Sequence, residues 1–214
     1  MDSGYLEIIY GPMFSGKTCK LHARLSEFSD VGLKTLYLNH SSDSRSTQMY
    51  STNVKGSCGS FISGSITQIK TPTLKETLSQ IGDYQVIGID EAQFFTDLLE
   101  MVKLFLGKNK IIIVSGLNGT FDLDEFGQIL KLIPLADKSI HLSAHCKACI
   151  IDCYLKKIQP IVKVAPFTLR LSNRKDEKSV GGADSYAAVC RFHHDYFQNV
   201  CEKERIEFFA QKME

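Results

Sequence analysis

The sequence predicts an α/β fold in which a parallel sheet is flanked by helices. Apolar runs at Tyr5–Tyr10, Tyr84–Asp90 and Lys110–Gly116 are almost continuous, which is typical of parallel strands buried on both faces. Between these runs, apolar residues recur at the spacing of a helix. The chain also opens in the order strand, glycine-rich loop, helix and strand, which is the order that builds parallel sheets.

The first half of the chain supplies strands and helices around one segment of different composition. Residues 41–65 are dense in Ser, Thr and Gly. Such a segment is either a disordered surface loop or a lid that becomes ordered over a substrate. The elements predicted in this half are a strand at Tyr5–Tyr10, a helix from Cys19 to about Val31, a strand at Lys34–Asn39 and a short helix around Leu74 and Leu78.

The second half continues the same alternation and then changes. Residues 145–194 contain paired cysteines and few helical patterns, so they are expected to form a second, small module. The predicted domains are therefore residues 1–144, 145–194 and a helical tail at 195–214. The elements predicted before the small module are a strand at Tyr84–Asp90, a helix from Phe94 to Phe105 that Gly107 ends, a strand at Lys110–Gly116, a helix near Glu125–Leu132 and a strand near Ser139–Ser143.

Composition excludes several classes of protein. The 214 residues carry 25 Lys and Arg against 24 Asp and Glu, a net charge of +1, which argues against a strongly basic nucleic-acid binder. No apolar run is long enough to cross a membrane, and Met1–Gly4 shows no secretion signal. The seven cysteines are an odd number, which argues against a disulfide framework. We expect a soluble, cytoplasmic protein.

A phosphate-binding loop follows the first strand. The residues Gly11-Pro12-Met13-Phe14-Ser15-Gly16-Lys17-Thr18 match the P-loop pattern G-x-x-x-x-G-K-[ST]. Its glycines let backbone N–H groups converge on phosphate oxygens, and the helix that follows presents its positive end. Lys17 is expected to reach the β- and γ-phosphates, and the Thr18 hydroxyl to bind Mg²⁺.

Two acids stand at the end of the third predicted strand. Asp90 ends that strand and is placed to hold the metal, usually through a bound water. Glu91 comes next and can accept a proton from an attacking hydroxyl or water. Alone, this pair would be an ordinary solvated turn, but beside a P-loop it predicts a phosphoryl-transfer site.

Two short pairs in the small module have the spacing of metal ligands. Cys146-x-x-Cys149 and Cys190-x-x-His193 predict a closed, structural Cys₃His zinc site. His145 and His194 flank these pairs and are possible substitutes, although the spacing favours His193. A redox C-x-x-C is the alternative, but it leaves the second pair unexplained, and Cys146 is not predicted to open a helix after a strand. Buried apolar thiols are expected at Cys153 and Cys201.

The motifs together resemble one family. Gly11–Thr18, Ile89–Phe95, Leu117–Phe121 and Gly181–Tyr186 occur in this order with the two metal pairs. Over about residues 5–194 the chain resembles the cytosolic, zinc-containing (type II) thymidine kinases. The resemblance implies a P-loop (RecA-like) parallel sheet flanked by helices, plus a small zinc-binding lasso domain.

The resemblance also implies a reaction and partners. The γ-phosphoryl group of ATP would pass to the 5′-hydroxyl of thymidine, giving dTMP and ADP for DNA synthesis. Deoxyuridine would be a second substrate and dTTP a feedback inhibitor. Relatives assemble as homotetramers or homodimers, with no nucleic acid or membrane as partner. The cofactors would be Mg²⁺ with ATP and a structural Zn²⁺.

Roles follow by resemblance for individual residues. Glu91 would be the base, with Lys17 and Arg45 on the transferring phosphoryl group, and Thr18 and Asp90 would hold Mg²⁺. The residues that would bind thymidine, partly through backbone groups of the lasso loop, are Met13, Phe94, Leu117, Phe121, Phe126, Thr168, Ser179, Gly182 and Tyr186. The segment 150–166 is longer than the corresponding segment in compact members of the family, and Ile151–Pro166 is expected to form an extended hairpin.

Three other functions remain open at this point. Asp90-Glu91-Ala92-Gln93 imitates a DEAD-type box, so an RNA-stimulated motor is one of them, although such motors need two tandem domains. A P-loop protein that binds nucleotide without turnover, serving as a zinc-bearing scaffold, is the second. A kinase for another nucleoside is the third, since the sequence discriminates poorly among pyrimidine bases.

Overall fold

The computed structural model describes residues 3–43, 66–172 and 184–211. The chain divides into two compact units. The first unit comprises Met1–Tyr10, Lys17–Asn118 and Glu125–His141, and the second comprises Gly11–Gly16, Gly119–Asp124 and Leu142–Glu214. No helix in the described ranges is long and apolar enough to cross a bilayer.

The first unit is built on a six-stranded sheet in which every neighbouring pair of strands is parallel. The strand order is β3-β2-β4-β5-β1-β6, so β5 separates β4 from β1. This arrangement confirms the predicted α/β fold with a P-loop after β1. The strands are β1 (Tyr5–Tyr10), β2 (Thr35–His40), β3 (Ile66–Thr71), β4 (Val86–Asp90), β5 (Ile111–Gly116) and β6 (Lys138–His141).

Two α-helices and four short 3₁₀ segments connect these strands in the described ranges. The helices are α1 (Lys17–Asp30) and α2 (Leu98–Gly107), and the 3₁₀ segments are Leu74–Thr77, Ile81–Asp83, Ala92–Phe94 and Ile129–Leu135. The helix predicted near Glu125–Leu132 is therefore wrong. Pro134 lies inside the last 3₁₀ segment, and in an α-helix its ring would clash with the carbonyl of Leu130.

The end of α2 also differs from the prediction. Gly107 is the last helical residue, and Lys108 caps the helix. The left-handed conformation that often follows a helix is taken by Asn109, with φ of 56°. Asparagine tolerates this conformation better than most residues with a side chain, so the stop signal was Asn109 and not Gly107.

The core of the first unit lies between the sheet and its helices. Strand residues such as Leu6, Ile87 and Val114 are fully buried, as both faces of a parallel sheet require. Helix α1 approaches β4 closely at one point. A Cβ atom at Gly88 would lie 2.5 Å from Leu25 Cδ1, so the missing side chain at Gly88 makes room for Leu25. This contact fixes α1 over the strand that carries Asp90.

The second unit contains, in its described residues, two small antiparallel sheets and three helices. Strand β7 (Ala144–His145) pairs with β8 (Val164–Ala165), and β9 (Phe167–Arg170) pairs with β10 (Tyr186–Val189). The helices are α3 (Lys147–Leu155), α4 (Arg191–Gln198) and α5 (Glu202–Phe209). Helix α3 was not predicted, because its nine residues offer little sequence in which helical periodicity could be recognised.

Two further expectations for this region are wrong. The hairpin expected at Ile151–Pro166 is absent, because α3 continues to Leu155 and the paired residues after it are only Val164 and Ala165. The single terminal helix is two helices, α4 and α5, which meet around Phe197. Its ring contacts the rings of Phe208 and Phe209 at centroid distances of 5.0 and 5.1 Å. Aromatic packing therefore holds the two helices together.

Candidate active site

The loop Gly11–Gly16 lies between β1 and α1 in an unusual backbone conformation. Phe14 and Gly16 are left-handed, with φ of 64° and 82°. Such a conformation turns successive N–H groups toward a common point, which is how an anion-binding nest forms. The Ser15 hydroxyl donates to the Pro12 carbonyl at 2.9 Å, and the Met13 N–H donates to Thr168 Oγ1 at 3.0 Å. Helix α1 begins directly after the loop, at Lys17.

Asp90 lies buried at the carboxyl end of β4, and both of its carboxylate oxygens accept hydrogen bonds. Oδ1 accepts from the N–H of Glu91 at 3.0 Å, and Oδ2 accepts from the hydroxyl of Tyr37 at 3.0 Å. Burial, with the Asp90 carboxylate next to it, raises the pKa of Tyr37 well above its ordinary value. The tyrosine therefore stays protonated and acts as a donor to Asp90.

Glu91 adopts a left-handed backbone, with φ of 50° and ψ of 40°. This region carries a conformational cost for a residue with a side chain, and such residues concentrate at functional sites. The Glu91 carboxylate accepts a hydrogen bond from Gln93 Nε2 at 2.6 Å, and Gln93 Oε1 accepts from the N–H of Leu117 at 2.9 Å. Gln93 thus links the acid after β4 to the residue after β5.

Gly116 is required by this link. A Cβ atom at Gly116 would lie 2.7 Å from Gln93 Oε1, so a larger residue would displace the glutamine. Gln93 itself is buried. The carboxyl end of β4 therefore presents Asp90 and Glu91 beside the end of β5, at the edge of the sheet where ligands of open α/β sheets bind.

Aromatic side chains of the first unit cluster near the same strand ends. The rings of Phe94 and Phe126 meet edge to face with centroids 5.6 Å apart, and the ring of His40 lies 5.6 Å from that of Phe94. These contacts are typical of an apolar wall. The structure thus brings together Phe94 and Phe126, two of the predicted thymidine-binding residues.

A second group of predicted residues lies within the second unit. The guanidinium of Arg170 sits 4.8 Å from the centroid of the Phe121 ring, within the range of a cation–π contact. Thr168 and Arg170 lie on β9, and Tyr186 of β10 is the register partner of Arg170. Arg45, Ser179 and Gly182 lie outside the described residues.

A buried group of metal-ligand side chains is also found in the second unit. The ligand atoms of Cys146, Cys149, Cys190 and His193 all lie within 4.8 Å of one another. Cys149 Sγ is 3.9 Å from Cys190 Sγ, and His193 Nδ1 is 3.4 Å from each of these sulfurs and 3.5 Å from Cys146 Sγ. A tetrahedral zinc site requires about 3.8 Å between sulfurs and about 3.6 Å between sulfur and nitrogen. The group therefore fits a tetrahedral metal ion.

The surroundings of this group support metal binding. His193 Nε2 lies 3.0 Å from Asp152 Oδ2, the carboxylate partner that orients many metal-bound histidines. Burial, and after it the neighbouring thiols, raises the pKa of the Cys149 thiol to about 12. A cation among the three sulfurs would reverse this effect, since it favours thiolates.

The start of α3 differs from the prediction. Cys146 does cap the start of α3 directly after the short strand β7. Three cysteines and a histidine nevertheless surround one point, which favours a metal site over a redox pair. His145 is exposed and outside the group, and His194 Nε2 instead lies 3.0 Å from the carbonyl of Phe121. Of the two thiols expected to be buried, Cys153 is buried and Cys201 is exposed.

Comparison with known proteins assigns the family. A family model described as thymidine kinase matches residues 4–194. The chain belongs to the thymidine kinase family. Bovine (Bos taurus) cytosolic thymidine kinase is 33% identical over 188 residues, which cover 88% of this chain and 71% of that protein. The thymidine kinase of Vaccinia virus (strain Ankara) is 34% identical over 191 residues, covering 89% of this chain and 97% of that protein. The cytosolic thymidine kinase of Cricetulus griseus is 33% identical over 188 residues, covering 88% of this chain and 72% of that protein.

Membership in the thymidine kinase family makes this chain a nucleoside kinase.

The sequence patterns did not identify two polar residues that hold the acids, Tyr37 and Gln93. Tyr37 lies 53 positions before its partner Asp90, so no local pattern marks it. Gln93 was visible in the Asp90-Glu91-Ala92-Gln93 motif, where a polar residue just after two acids was the available signal.

Replacing either of two glycines of the thymidine kinase P-loop by alanine is expected to lower stability by different amounts. Gly16 is left-handed, but no described atom lies within 4 Å of the position that an added Cβ would take, so alanine should cost about 1–2 kcal/mol of backbone strain. At Gly11 an added Cβ atom would clash with the carbonyl oxygen of Leu142, so the backbone would have to move. We expect Gly11→Ala to lower the free energy of unfolding by about 1–3 kcal/mol more than Gly16→Ala in urea titrations. Equal losses in the two variants would contradict this packing.

Proposed function

We propose that this chain transfers the γ-phosphoryl group of ATP to the 5′-hydroxyl of thymidine, giving dTMP and ADP. Deoxyuridine is the proposed second substrate. The observation that carries the proposal is the pair Asp90 and Glu91 at the end of β4, where separate donors hold the two carboxylates. Two acids fixed side by side after a P-loop suit phosphoryl transfer to a hydroxyl.

The P-loop residues Gly11–Thr18 are proposed to bind the phosphates of ATP. Backbone N–H groups of the loop and the start of α1 would face the anion, and Lys17 would contact the β- and γ-phosphates. Mg²⁺ would be held by Thr18 and Asp90, whose hydroxyl and carboxylate oxygens are the ligands that this ion prefers. When bound, the ion neutralises charge on the phosphate oxygens.

Glu91 is proposed as the base that accepts the 5′-hydroxyl proton. An ionised carboxylate has two oxygens that accept hydrogen bonds, so it can keep its bond from Gln93 Nε2 and still meet a substrate hydroxyl. Gln93 keeps Glu91 in place through its second bond to the Leu117 N–H. Arg45 is proposed to stabilise the transferring phosphoryl group, and it lies outside the described residues.

Binding of the nucleoside is proposed on the basis of family membership. An apolar slot with a few polar contacts suits a small pyrimidine. The proposed thymidine-binding residues are Phe94, Leu117 and Phe126 of the first unit, Met13, Phe121, Thr168 and Tyr186 of the second, and Ser179 and Gly182 outside the described residues.

Four further properties are proposed with the activity. The metal held by Cys146, Cys149, Cys190 and His193 is Zn²⁺, which stabilises the second unit and takes no part in the chemistry. Feedback inhibition by dTTP and assembly as a homotetramer or homodimer follow the family resemblance. A cytoplasmic location follows the bovine relative, whose name describes it as cytosolic.

The direct test is a substrate panel with the full chain. ATP, Mg²⁺ and one acceptor at a time would be incubated with the protein, and the phosphorylated product measured for thymidine, deoxyuridine, deoxycytidine and, as a nucleotide acceptor, thymidylate. We expect transfer to thymidine and deoxyuridine. Transfer to deoxycytidine alone would assign another nucleoside kinase. ATP binding without transfer to any acceptor would leave a non-catalytic scaffold in place of the proposed enzyme.

A further inference from the structure

A polar cluster lies in the first unit where α1 covers the sheet. It consists of His22 on α1, Tyr37 on β2 and Asp90 on β4, all of them buried. Their neighbours in sequence, such as Leu21 and Leu36, are fully buried and apolar. Buried polar groups in an apolar layer carry a desolvation cost, so each calls for a physical explanation.

The sheet register places Tyr37 beside Asp90. Tyr37 is the register partner of Gly88, two residues before Asp90 on β4. Because side chains alternate along a strand, Gly88 and Asp90 belong to one face of the sheet, and the tyrosine reaches along that face. Its hydroxyl donates to Asp90 Oδ2 at 3.0 Å in a buried hydrogen bond.

The two oxygens of Asp90 are held from different parts of the chain. The Glu91 N–H comes from the backbone that follows β4, whereas the Tyr37 hydroxyl comes from the neighbouring strand β2. Two donors on opposite oxygens determine the rotation of a carboxylate about its terminal bond. The remaining lone pairs of Asp90 then face in a fixed direction.

His22 supports the tyrosine ring. The two rings meet edge to face, with centroids 5.1 Å apart and planes at 68°. In the described part of the chain, neither ring nitrogen of His22 has a hydrogen-bond partner. The histidine packs against the Tyr37 ring. No hydrogen bond in the described part of the chain holds the His22 ring in a different orientation.

We propose that Tyr37 is a positioning residue that orients the Asp90 carboxylate toward the nucleotide-bound Mg²⁺, with His22 supporting its ring. The inference rests on the proposed role of Asp90 in holding that ion. Groups that orient a metal-binding carboxylate typically change metal affinity or activity by about 10- to 100-fold when removed. Phenylalanine at position 37 keeps the ring and removes only the donor.

The experiment measures metal-dependent nucleotide binding by the full chain. ADP binding would be followed by calorimetry over a range of Mg²⁺ concentrations, and Mn²⁺ binding to the protein–ADP complex by electron paramagnetic resonance. Tyr37→Phe is expected to need about 10-fold or more Mg²⁺ for half-maximal enhancement of ADP binding, with metal-free ADP affinity unchanged. Tyr84→Phe, a half-buried tyrosine that precedes β4, is the matched control and should titrate as the wild type.

The outcomes separate this inference from the proposed function. If Tyr37→Phe titrates like the wild type while Asp90→Asn loses the metal dependence, the positioning role is overturned and the function stands. If Asp90→Asn also titrates like the wild type, the metal role of Asp90 fails and the inference fails with it. A loss of metal-free ADP affinity in Tyr37→Phe equal to its metal-dependent loss would show a general structural defect and would overturn the inference too.

Discussion

Glu91→Gln is expected to lower kcat for phosphoryl transfer to thymidine by about 10²-fold or more, because it removes the proposed general base. The change is nearly isosteric. The amide oxygen of the new residue can still accept the hydrogen bond from Gln93 Nε2, so the left-handed turn at position 91 should persist. Binding of ATP with Mg²⁺ should stay close to that of the wild type, since neither the P-loop nor Asp90 is altered. Steady-state kinetics with calorimetry would measure both quantities.

Glu100→Gln is the matched control for this change. Glu100 lies exposed on α2, and its substitution removes the same charge as the substitution of Glu91. The control should leave kcat within about twofold of the wild type, as expected for a surface substitution. Activity of Glu91→Gln equal to that of Glu100→Gln would exclude Glu91 as the base.

Cys149→Ala is expected to abolish stoichiometric zinc binding and to destabilise the second unit strongly. Structural zinc contributes apparent binding free energies of about 10–16 kcal/mol in small domains, and that energy becomes folding energy. The four ligands join the starts of α3 and α4, which otherwise share a small core. Elemental analysis of the purified chain and thermal unfolding with and without a chelator would measure the effect.

Two other variants calibrate the zinc result. Cys201→Ala removes an exposed thiol outside the cluster and should keep one zinc per chain. Asp152→Asn keeps all four ligands but weakens the partner of His193 Nε2, so zinc affinity should fall by about 10- to 100-fold.

Because bound thiols must be deprotonated, zinc affinity should also fall as the pH is lowered. A Cys149→Ala chain with wild-type zinc content and stability would contradict the metal site.

Local patterns in the sequence were sufficient for most strands of the parallel sheet and for the pair of acids, but β3 (Ile66–Thr71) was not predicted. Continuous apolar runs identify β1, β4 and β5 because both faces of these strands are buried. The P-loop and the pair Asp90-Glu91 are each a contiguous stretch of sequence. The chemistry of each could therefore be predicted before the fold was known. The Cys and His residues of the candidate metal site were predictable for the same reason, since each pair spans only four residues.

Contacts between distant residues could not be predicted from these patterns. Tyr37 meets Asp90 through the pairing of β2 with β4, and His194 approaches the Phe121 carbonyl across 73 positions. Helix α3 was missed for another reason. It spans only nine residues, and its sequence has no amphipathic periodicity that would mark it as a helix.

The fate of the γ-phosphoryl group of ATP tests the proposed reaction most directly. The full chain would be incubated with Mg²⁺ and ATP carrying ¹⁸O in the γ-phosphoryl group, and with thymidine or an analogue that lacks either the 5′- or the 3′-hydroxyl. We expect labelled 5′-monophosphate from thymidine and from the 3′-deoxy analogue, and no product from the 5′-deoxy analogue. Labelled inorganic phosphate without any nucleoside monophosphate, or transfer to the 3′-hydroxyl, would contradict the proposed reaction.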